Sequence, residues 1–238
     1  MAAEAATIRV LNQGVSGHVG VVAAVNHLTS LGHSVSTGNV LTDYSAYDQV
    51  WDLRYNINFT LDDLNAFTSY LGGGGRIYVT GENPSFDAQR NTSLRGLLFA
   101  LGAGDVSYGG GVPSNTQTFT TAGAALNSPN NLAAVGYLGA RQVTGGGSGF
   151  LVTESPAATG SMVAWDFGQI DGAASARMIA VWDIDLFRPE ANGVALVENL
   201  AYYLGAAPPS AVPEPATLAS FAFAVVLIAA CRRKQRLL

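Results

Sequence analysis

The chain has 238 residues, of which 48% are hydrophobic and 12% are charged. This composition supplies enough apolar side chains for one sizeable core and excludes an intrinsically disordered chain. Before Pro213 there are eight arginines and no lysine against sixteen acidic residues, a net charge of about −8, so nucleic acid is excluded as a partner. The single cysteine, Cys231, excludes a disulfide framework, a cysteine metal site and a thiol nucleophile in the preceding residues.

The N-terminal segment does not have the pattern of a signal peptide. Residues 1–6 contain neither a cationic region nor an apolar region. Ala3-Glu4-Ala5 nevertheless has the small-residue spacing found at signal-peptide cleavage sites. We therefore expect residues 1–6 to be the remnant of a longer precursor with a hydrophobic leader.

The first hundred residues alternate between strand and helix patterns. Apolar, β-prone runs predict strands at residues 7–11, 33–37, 47–53 and 76–80, and amphipathic patterns predict helices over residues 18–31, 60–71 and 92–101. Thr60, as N-cap, and the acidic first turn support the second helix, whose predicted apolar face consists of Leu61, Leu64, Phe67 and Leu71. This order predicts an α/β fold with a mainly parallel sheet flanked by helices.

The amino-acid composition changes between residues 105 and 161, which are rich in Gly, Ser, Thr and Asn. Because this segment has too few apolar residues for a core of its own, we interpret it as a loop-rich antiparallel insertion. Strands at residues 162–167 and 177–183 and a helix over residues 191–204 complete a domain that spans residues 7–205. Residues 206–211 contain two prolines and are interpreted as a linker.

Three segments of this domain carry a family resemblance. They are the strand Tyr47-Asp48-Gln49-Val50-Trp51, the helix 61–71 with its glycine run and the strand Arg76-Ile77-Tyr78-Val79, and the strand 177–183 with the helix after it. Together they resemble the class I glutamine amidotransferase-like superfamily, in the branch with trehalose-utilisation-type domains. The resemblance implies a flavodoxin-like sheet.

Catalytic members of that superfamily have a Cys on a sharp turn after the fourth strand, followed by a His and an acid further on. Here the turn is Gly81-Glu82-Asn83-Pro84-Ser85, and the three histidines, His18, His27 and His33, all precede it. The resemblance therefore implies a catalytically degenerate domain.

Carboxylates follow two of the predicted strands. Glu82 lies at the end of the fourth strand, and Asp183 and Asp185 alternate at the end of the last one. Carboxylates that converge there could act as acid and base or hold a hard cation such as Ca²⁺. The alternative is structural: Asp185 caps a turn and Glu82 binds loop amides. We predict no bound metal and no cofactor.

The loop Gly14-Val15-Ser16-Gly17-His18-Val19-Gly20 follows a strand and opens a helix. Its backbone N–H groups could hold an anion, but its spacing differs from that of dinucleotide-binding loops, and a tight turn without a ligand is the alternative. Open α/β sheets bind ligands at the carboxyl ends of their strands, so His18 and Asn83 are candidate ligand-binding residues.

Residues 212–238 combine a Pro-rich tag, an uncharged apolar run at residues 216–231 and a basic end, Arg232, Arg233, Lys234 and Arg236. A helix over the apolar run would be about 24 Å long, which is enough to span a thin bilayer. The basic end would then stay in the cytoplasm. A buried C-terminal helix of the globular domain is the alternative.

This order of tag, apolar helix and basic end resembles the PEP-CTERM sorting signal of exopolysaccharide-producing Gram-negative bacteria. The tag matches at five positions: Val212, Pro213, Glu214, Pro215 and Thr217. The resemblance implies recognition by exosortase, a membrane-embedded cysteine protease-transpeptidase. The protein would span the inner membrane once, with its domain in the periplasm, and after processing would reach the cell surface or the exopolysaccharide matrix.

Two functions are compatible with these patterns. One is a surface-delivered protein whose domain has a non-catalytic binding or structural role. The other is an extracellular hydrolase that uses Glu82 with Asp183 or Asp185 on a carbohydrate or a small ester.

Overall fold

The computed structural model describes residues 5–207. The strands are β1 Thr7–Leu11, β2 Ser34–Gly38, β3 Gln49–Asp52, β4 Arg76–Thr80, β5 Val106–Phe119, β6 Val135–Gly146, β7 Phe150–Leu151, β8 Thr153–Glu154, β9 Met162–Trp165 and β10 Arg177–Val181. The helices are α1 Val19–Ser30, α2 Leu61–Gly72, α3 Pro84–Ala100 and α4 Gly193–Gly205, with 3₁₀ helices at Ala122–Leu126 and Ile184–Phe187.

The main sheet has seven strands in the order β2-β1-β3-β4-β10-β9-β7. The first five are mutually parallel, whereas β9 runs antiparallel to β10 and β7 antiparallel to β9. The predicted α/β class, with its mostly parallel sheet and flanking helices, is confirmed.

Helices cover both faces of this sheet. Leu28 of α1 and Leu200 of α4 belong to one core cluster, and Phe67 of α2 and Leu98 of α3 belong to the other. Because the central strands are buried on both faces, they contain nearly continuous apolar runs, such as that of β10. Full burial of each large apolar side chain contributes about 1.5–3 kcal/mol, so the two clusters supply most of the driving force for folding.

Helix α2 begins as predicted, and of its predicted apolar face Phe67 and Leu71 are buried and Leu64 is partly buried. Thr60 and Asp63 form a capping box, in which each side chain accepts a hydrogen bond from the other residue's backbone N–H. Leu61, expected in the core, is 69% exposed. Asp63 lies on the buried face with four apolar residues, Ala66, Phe67, Tyr70 and Leu71.

Helix α3 begins at Pro84, eight residues earlier than the predicted start at residue 92. The Asn83 side chain accepts a hydrogen bond from the backbone N–H of Ser85 (2.9 Å) and caps the first turn. Asp87 then has non-helical dihedral angles, and its side chain accepts from the backbone N–H of Arg90 (2.7 Å), which caps the helix a second time. Two polar caps in succession explain why no helical pattern is visible there.

The segment predicted as a loop-rich insertion is mostly strand. Strands β5 and β6 have 14 and 12 residues and pair antiparallel, β8 joins them, and β7 adds to the main sheet. A buried polar chain ties this ribbon to the domain: Gln117 donates to the Ser161 hydroxyl (3.0 Å) and accepts from that of Thr153 (2.8 Å). The polar residues of this segment therefore satisfy one another, while its buried apolar side chains, such as Leu126, Val135 and Val143, pack into the two core clusters.

Within residues 5–207, no helix has the length and apolar character needed to cross a bilayer. The membrane helix predicted for residues 216–231, the Pro-rich tag and the basic end lie outside the described residues.

Candidate functional site

The carboxyl ends of β1, β3, β4 and β10 lie at one edge of the sheet, because these strands are parallel. The strand order β2-β1-β3-β4-β10 changes direction between β1 and β3, and such a switch point is where doubly wound sheets bind ligands. The segments after these strands carry five polar residues of the candidate site: His18, Tyr55, Glu82, Asp183 and Asp185. We call these residues the edge cluster.

Glu82 is a buried carboxyl held in a rigid turn. Its side chain is 6% exposed and accepts a hydrogen bond from the backbone N–H of Asn83 (2.7 Å). The Asn91 side chain accepts from the Glu82 N–H (3.0 Å) and donates to the Glu82 carbonyl (2.6 Å). Burial raises the pKa of Glu82 to about 8, although the bond from Asn83 opposes the shift. The charges of Asp183 and Asp185 raise this pKa further, so the three carboxylates interact electrostatically.

Asp183 anchors neighbouring backbone segments. It is 1% exposed, and its carboxylate accepts three hydrogen bonds, from the backbone N–H groups of Leu138 (2.7 Å), Gly139 (3.3 Å) and Asp185 (2.8 Å). Burial raises its pKa to about 7, and the bonds from Leu138 and Asp185 oppose the shift. Asp183 therefore joins β6 to the segment after β10.

Asp185 is not on a strand, because β10 ends at Val181 and Asp185 lies in the 3₁₀ helix Ile184–Phe187. Its carboxylate accepts from Arg188 Nε (2.7 Å) and lies 3.6 Å from His18 Nε2. Burial lowers the pKa of His18, while the charge of Asp185 raises it. The His18 side chain also caps α1, since its Nδ1 accepts from the backbone N–H of Gly20 (3.3 Å).

Two residues of this edge had no signal in the sequence. The Tyr55 ring lies against the imidazole of His18, with centroids 4.7 Å apart, and Arg188 pairs with Asp185. Both stand in irregular segments after strands, where neither periodicity nor a motif identifies them. The structure thus brings His18, Glu82, Asp183 and Asp185 to one edge, whereas the Asn83 amide is engaged in capping α3 and in a bond to the carbonyl of Val112 (3.4 Å).

The edge cluster holds one imidazole, one phenol and three carboxyl groups. Among the described residues, no group of three or more His, Cys, Asp or Glu side chains is arranged to hold a metal ion. A cleft of about 250 Å³ lies elsewhere, lined by residues 42–48 (except 46), residues 73–76 and three residues of α2. A second cleft, of about 480 Å³, is lined by residues 58–59 and four residues of α3.

A buried ion network lies behind this edge and was also missed. Asp52, at the end of β3, is fully buried and bonds to Arg54 and Arg90, and Arg54 also binds Asp63 (2.7 Å). Arg90 donates to the carbonyls of Thr80 (2.9 Å) and Ile57 (2.6 Å). Burial raises the pKa of Asp52, but the charges of Arg90 and Arg54 outweigh it and leave that pKa below its ordinary value.

Comparison with known proteins gives one family match. Residues 211–234 match the PEP-CTERM protein-sorting motif. The motif implies processing by exosortase and a protein that is membrane-anchored and then secreted or surface-located. No curated protein sequence matches the chain.

Solved structures share the fold at low sequence identity. The "mmIFT52 N-terminal domain" has a TM-score of 0.64 at 10% identity, covering 85% of this chain and 99% of that one. A putative thua-like protein from Parabacteroides merdae gives 0.53 at 13% identity, with 87% and 92% covered. The exo-beta-1,4-mannosidase Op5Man5 from an Opitutaceae bacterium gives 0.54 at 9% identity, covering 87% of this chain but only 37% of the enzyme.

These likenesses concern the fold alone. The thua-like structure has a fold related to that of the amidotransferases, and these comparisons give the amidotransferase assignment itself no support.

Proposed function

We propose that this protein is an exosortase substrate whose α/β domain has a non-catalytic binding or structural role at the cell surface or in the exopolysaccharide matrix. The motif at residues 211–234 supports the exosortase part, and the observation that carries the non-catalytic part is the state of Asp183, which is buried and accepts three backbone hydrogen bonds. A carboxylate so engaged cannot exchange protons with a substrate unless the fold opens. Asp185 is likewise occupied by Arg188.

Within this proposal, the chain spans the inner membrane once before processing. The apolar run at residues 216–231 forms the membrane helix, the basic end stays in the cytoplasm and the domain faces the periplasm. The accessible part of the edge cluster, His18 with Tyr55, is the ligand-binding surface, because it lies at the switch point of the sheet.

Sorting is tested by replacing Pro213 and Glu214 together with Ala in a host that carries exosortase. We expect the full-length protein to remain in the membrane fraction, because the tag that the enzyme recognises is lost. The matched control replaces Pro208 and Pro209, which precede the motif, and should be processed normally. Normal processing of the Pro213/Glu214 variant would refute the sorting role.

One observation favours hydrolysis as a second candidate function. The pKa of Glu82, raised to about 8 by burial, is that of a carboxylic acid that stays protonated at neutral pH, as a general acid must. Asp185 would then be the base, since it is more accessible than Asp183, with a side chain 29% exposed.

The hydrolase candidate is tested by assaying the full chain against chromogenic glycosides and short-chain esters. We expect no turnover. If turnover is found and Glu82→Gln lowers it by about 100-fold or more, the size expected for loss of a general acid, the non-catalytic proposal is wrong. Asp171→Asn, at an exposed aspartate between β9 and β10, controls for a simple change of charge.

A further inference from the structure

The second cleft, of about 480 Å³, is a groove at the carboxyl edge of the sheet, between the segment after β3 and the first half of α3. It is a shallow depression, open to solvent over most of its extent. One phenyl ring, two amides, two hydroxyls and one methyl group line it: Phe59, Asn58, Gln89, Thr92, Ser93 and Ala88. It shares no residue with the edge cluster.

The lining carries no charge, although the chain before Pro213 has a net charge of about −8. A phosphate, a carboxylate or a polyanion would therefore find no cation in the groove, and a cationic ligand would find no carboxylate. The amides of Asn58 and Gln89 are exposed, and each offers both hydrogen-bond donors and an acceptor. This surface matches a neutral ligand that is rich in hydroxyl groups.

The floor of the groove is already ordered. The Ser93 hydroxyl accepts from the backbone N–H of Phe59 (2.8 Å), and the Thr92 hydroxyl donates to the carbonyl of Ala88 (3.1 Å). The guanidinium of Arg90, itself fully buried, stacks 3.7 Å from the centre of the Phe59 ring. A ligand would thus meet a fixed ring and fixed hydroxyls, which reduces the entropy lost on binding.

We infer that this groove binds a neutral polysaccharide. A sugar ring has an apolar C–H face, which fits a phenyl ring, and a rim of hydroxyls, which pair with the two amides, with the Ser93 hydroxyl as donor and with the Thr92 hydroxyl as acceptor. The inference rests on the groove and not on the role proposed for the edge cluster, and it names the chemical class of one ligand for the domain.

The test is affinity electrophoresis of the full chain in neutral detergent. The gels contain dextran, glucomannan or a soluble β-1,3-glucan, with alginate as the polyanionic comparison. We expect at least one neutral polysaccharide to retard the protein and alginate not to. The Asn58→Ala/Gln89→Ala variant should weaken that binding by about tenfold, because two neutral hydrogen bonds are lost. The control Asn39→Ala/Asn65→Ala removes two exposed amides elsewhere and should bind normally.

Three results would overturn the inference. The first is the absence of retardation by every neutral polysaccharide, and the second is equal binding by the groove variant and wild type. The third is loss of binding in His18→Ala with retention in the groove variant, which would place the glycan at the edge cluster. Circular dichroism of each variant distinguishes lost binding from lost folding.

Discussion

Asp52→Asn is expected to lower the free energy of unfolding of the domain by about 3–5 kcal/mol. Asp52 is fully buried between the guanidinium groups of Arg54 and Arg90. Neutralising Asp52 leaves Arg90 without a bonded carboxylate. Arg54, in contrast, keeps Asp63 as a second partner. Burial already lowers the pKa of Arg90 to about 10, so this cation is poorly solvated and its loss of a partner is severe.

The measurement is chemical denaturation followed by tryptophan fluorescence. All three tryptophans, Trp51, Trp165 and Trp182, are fully buried, so their emission reports global unfolding. Asp105→Asn is the matched control, because it breaks the exposed pair between Asp105 and Arg95. Its unfolding midpoint should stay close to that of wild type. Equal midpoints for the two variants would show that the buried network contributes nothing.

A double-mutant cycle separates the ion pair from the packing around it. Arg90→Met removes the buried cation but also two hydrogen bonds to backbone carbonyls and the contact with Phe59. Once Asp52 is neutral, the unpaired guanidinium of Arg90 itself destabilises the fold. Arg90→Met should therefore lower the free energy of unfolding less in the Asp52→Asn background than in wild type. A coupling energy of about 0.5–3 kcal/mol is expected for groups in one network.

The layered fold was predictable because its signals are local. Periodicity predicted the parallel strands, helices α1, α2 and α4 and the second half of α3, and the Thr60/Asp63 cap was readable directly. The start of α3 was missed because residues 84–91 are mostly polar and are held by two side-chain caps, at Asn83 and Asp87, rather than by an apolar stripe. Leu61 was predicted to be buried but is exposed, because in the first turn of α2 it is Asp63 that faces the core, where its carboxylate pairs with Arg54.

The site was predictable only where strand ends identify it. Glu82, Asp183 and His18 follow strands, and parallel strands share one edge, so their convergence follows from topology. The hydrogen-bond and ion-pair partners of these residues do not follow from the topology. Two partners of Asp183 come from β6, about 45 positions away in the chain, and Arg90, one of the two partners of Asp52, comes from α3. A single sequence carries no record of which distant amide or guanidinium faces a buried carboxylate.

Glu82→Gln is expected to stabilise the domain at alkaline pH, by about 2–4 kcal/mol at pH 9. Burial raises the pKa of Glu82 from an ordinary 4.5 to about 8. Between these values the folded protein holds a proton that the unfolded chain has released, so stability falls as pH rises through this window. Gln carries no charge at any pH and keeps an oxygen that can accept the bond from Asn83.

The variant and wild type should therefore have similar stability at pH 5 and diverge steadily up to about pH 8. Asp183, whose pKa is raised to about 7, lowers stability in the same direction in both proteins, and His18, whose pKa is lowered, acts in the opposite direction. The difference between the two unfolding curves consequently reports Glu82 together with its electrostatic coupling to Asp183 and Asp185. Denaturation at five pH values between 5 and 9, with Asp171→Asn as the exposed control, measures that difference.

The sign of the stability difference between Glu82→Gln and wild type also indicates why a buried carboxyl, that of Glu82, lies after the end of β4. Above neutral pH the ionised carboxylate of Glu82 destabilises the fold, so Gln at this position would give the more stable protein. Residues that lower stability in this way are found where function opposes stability. If Glu82→Gln is stabilising and leaves both glycan binding and the absence of turnover unchanged, Glu82 serves neither function, and only its electrostatic coupling to Asp183 and Asp185 remains as its effect. If the two curves instead run parallel from pH 5 to 9, water reaches the ionised carboxylate, and Glu82 is accessible enough to meet a ligand.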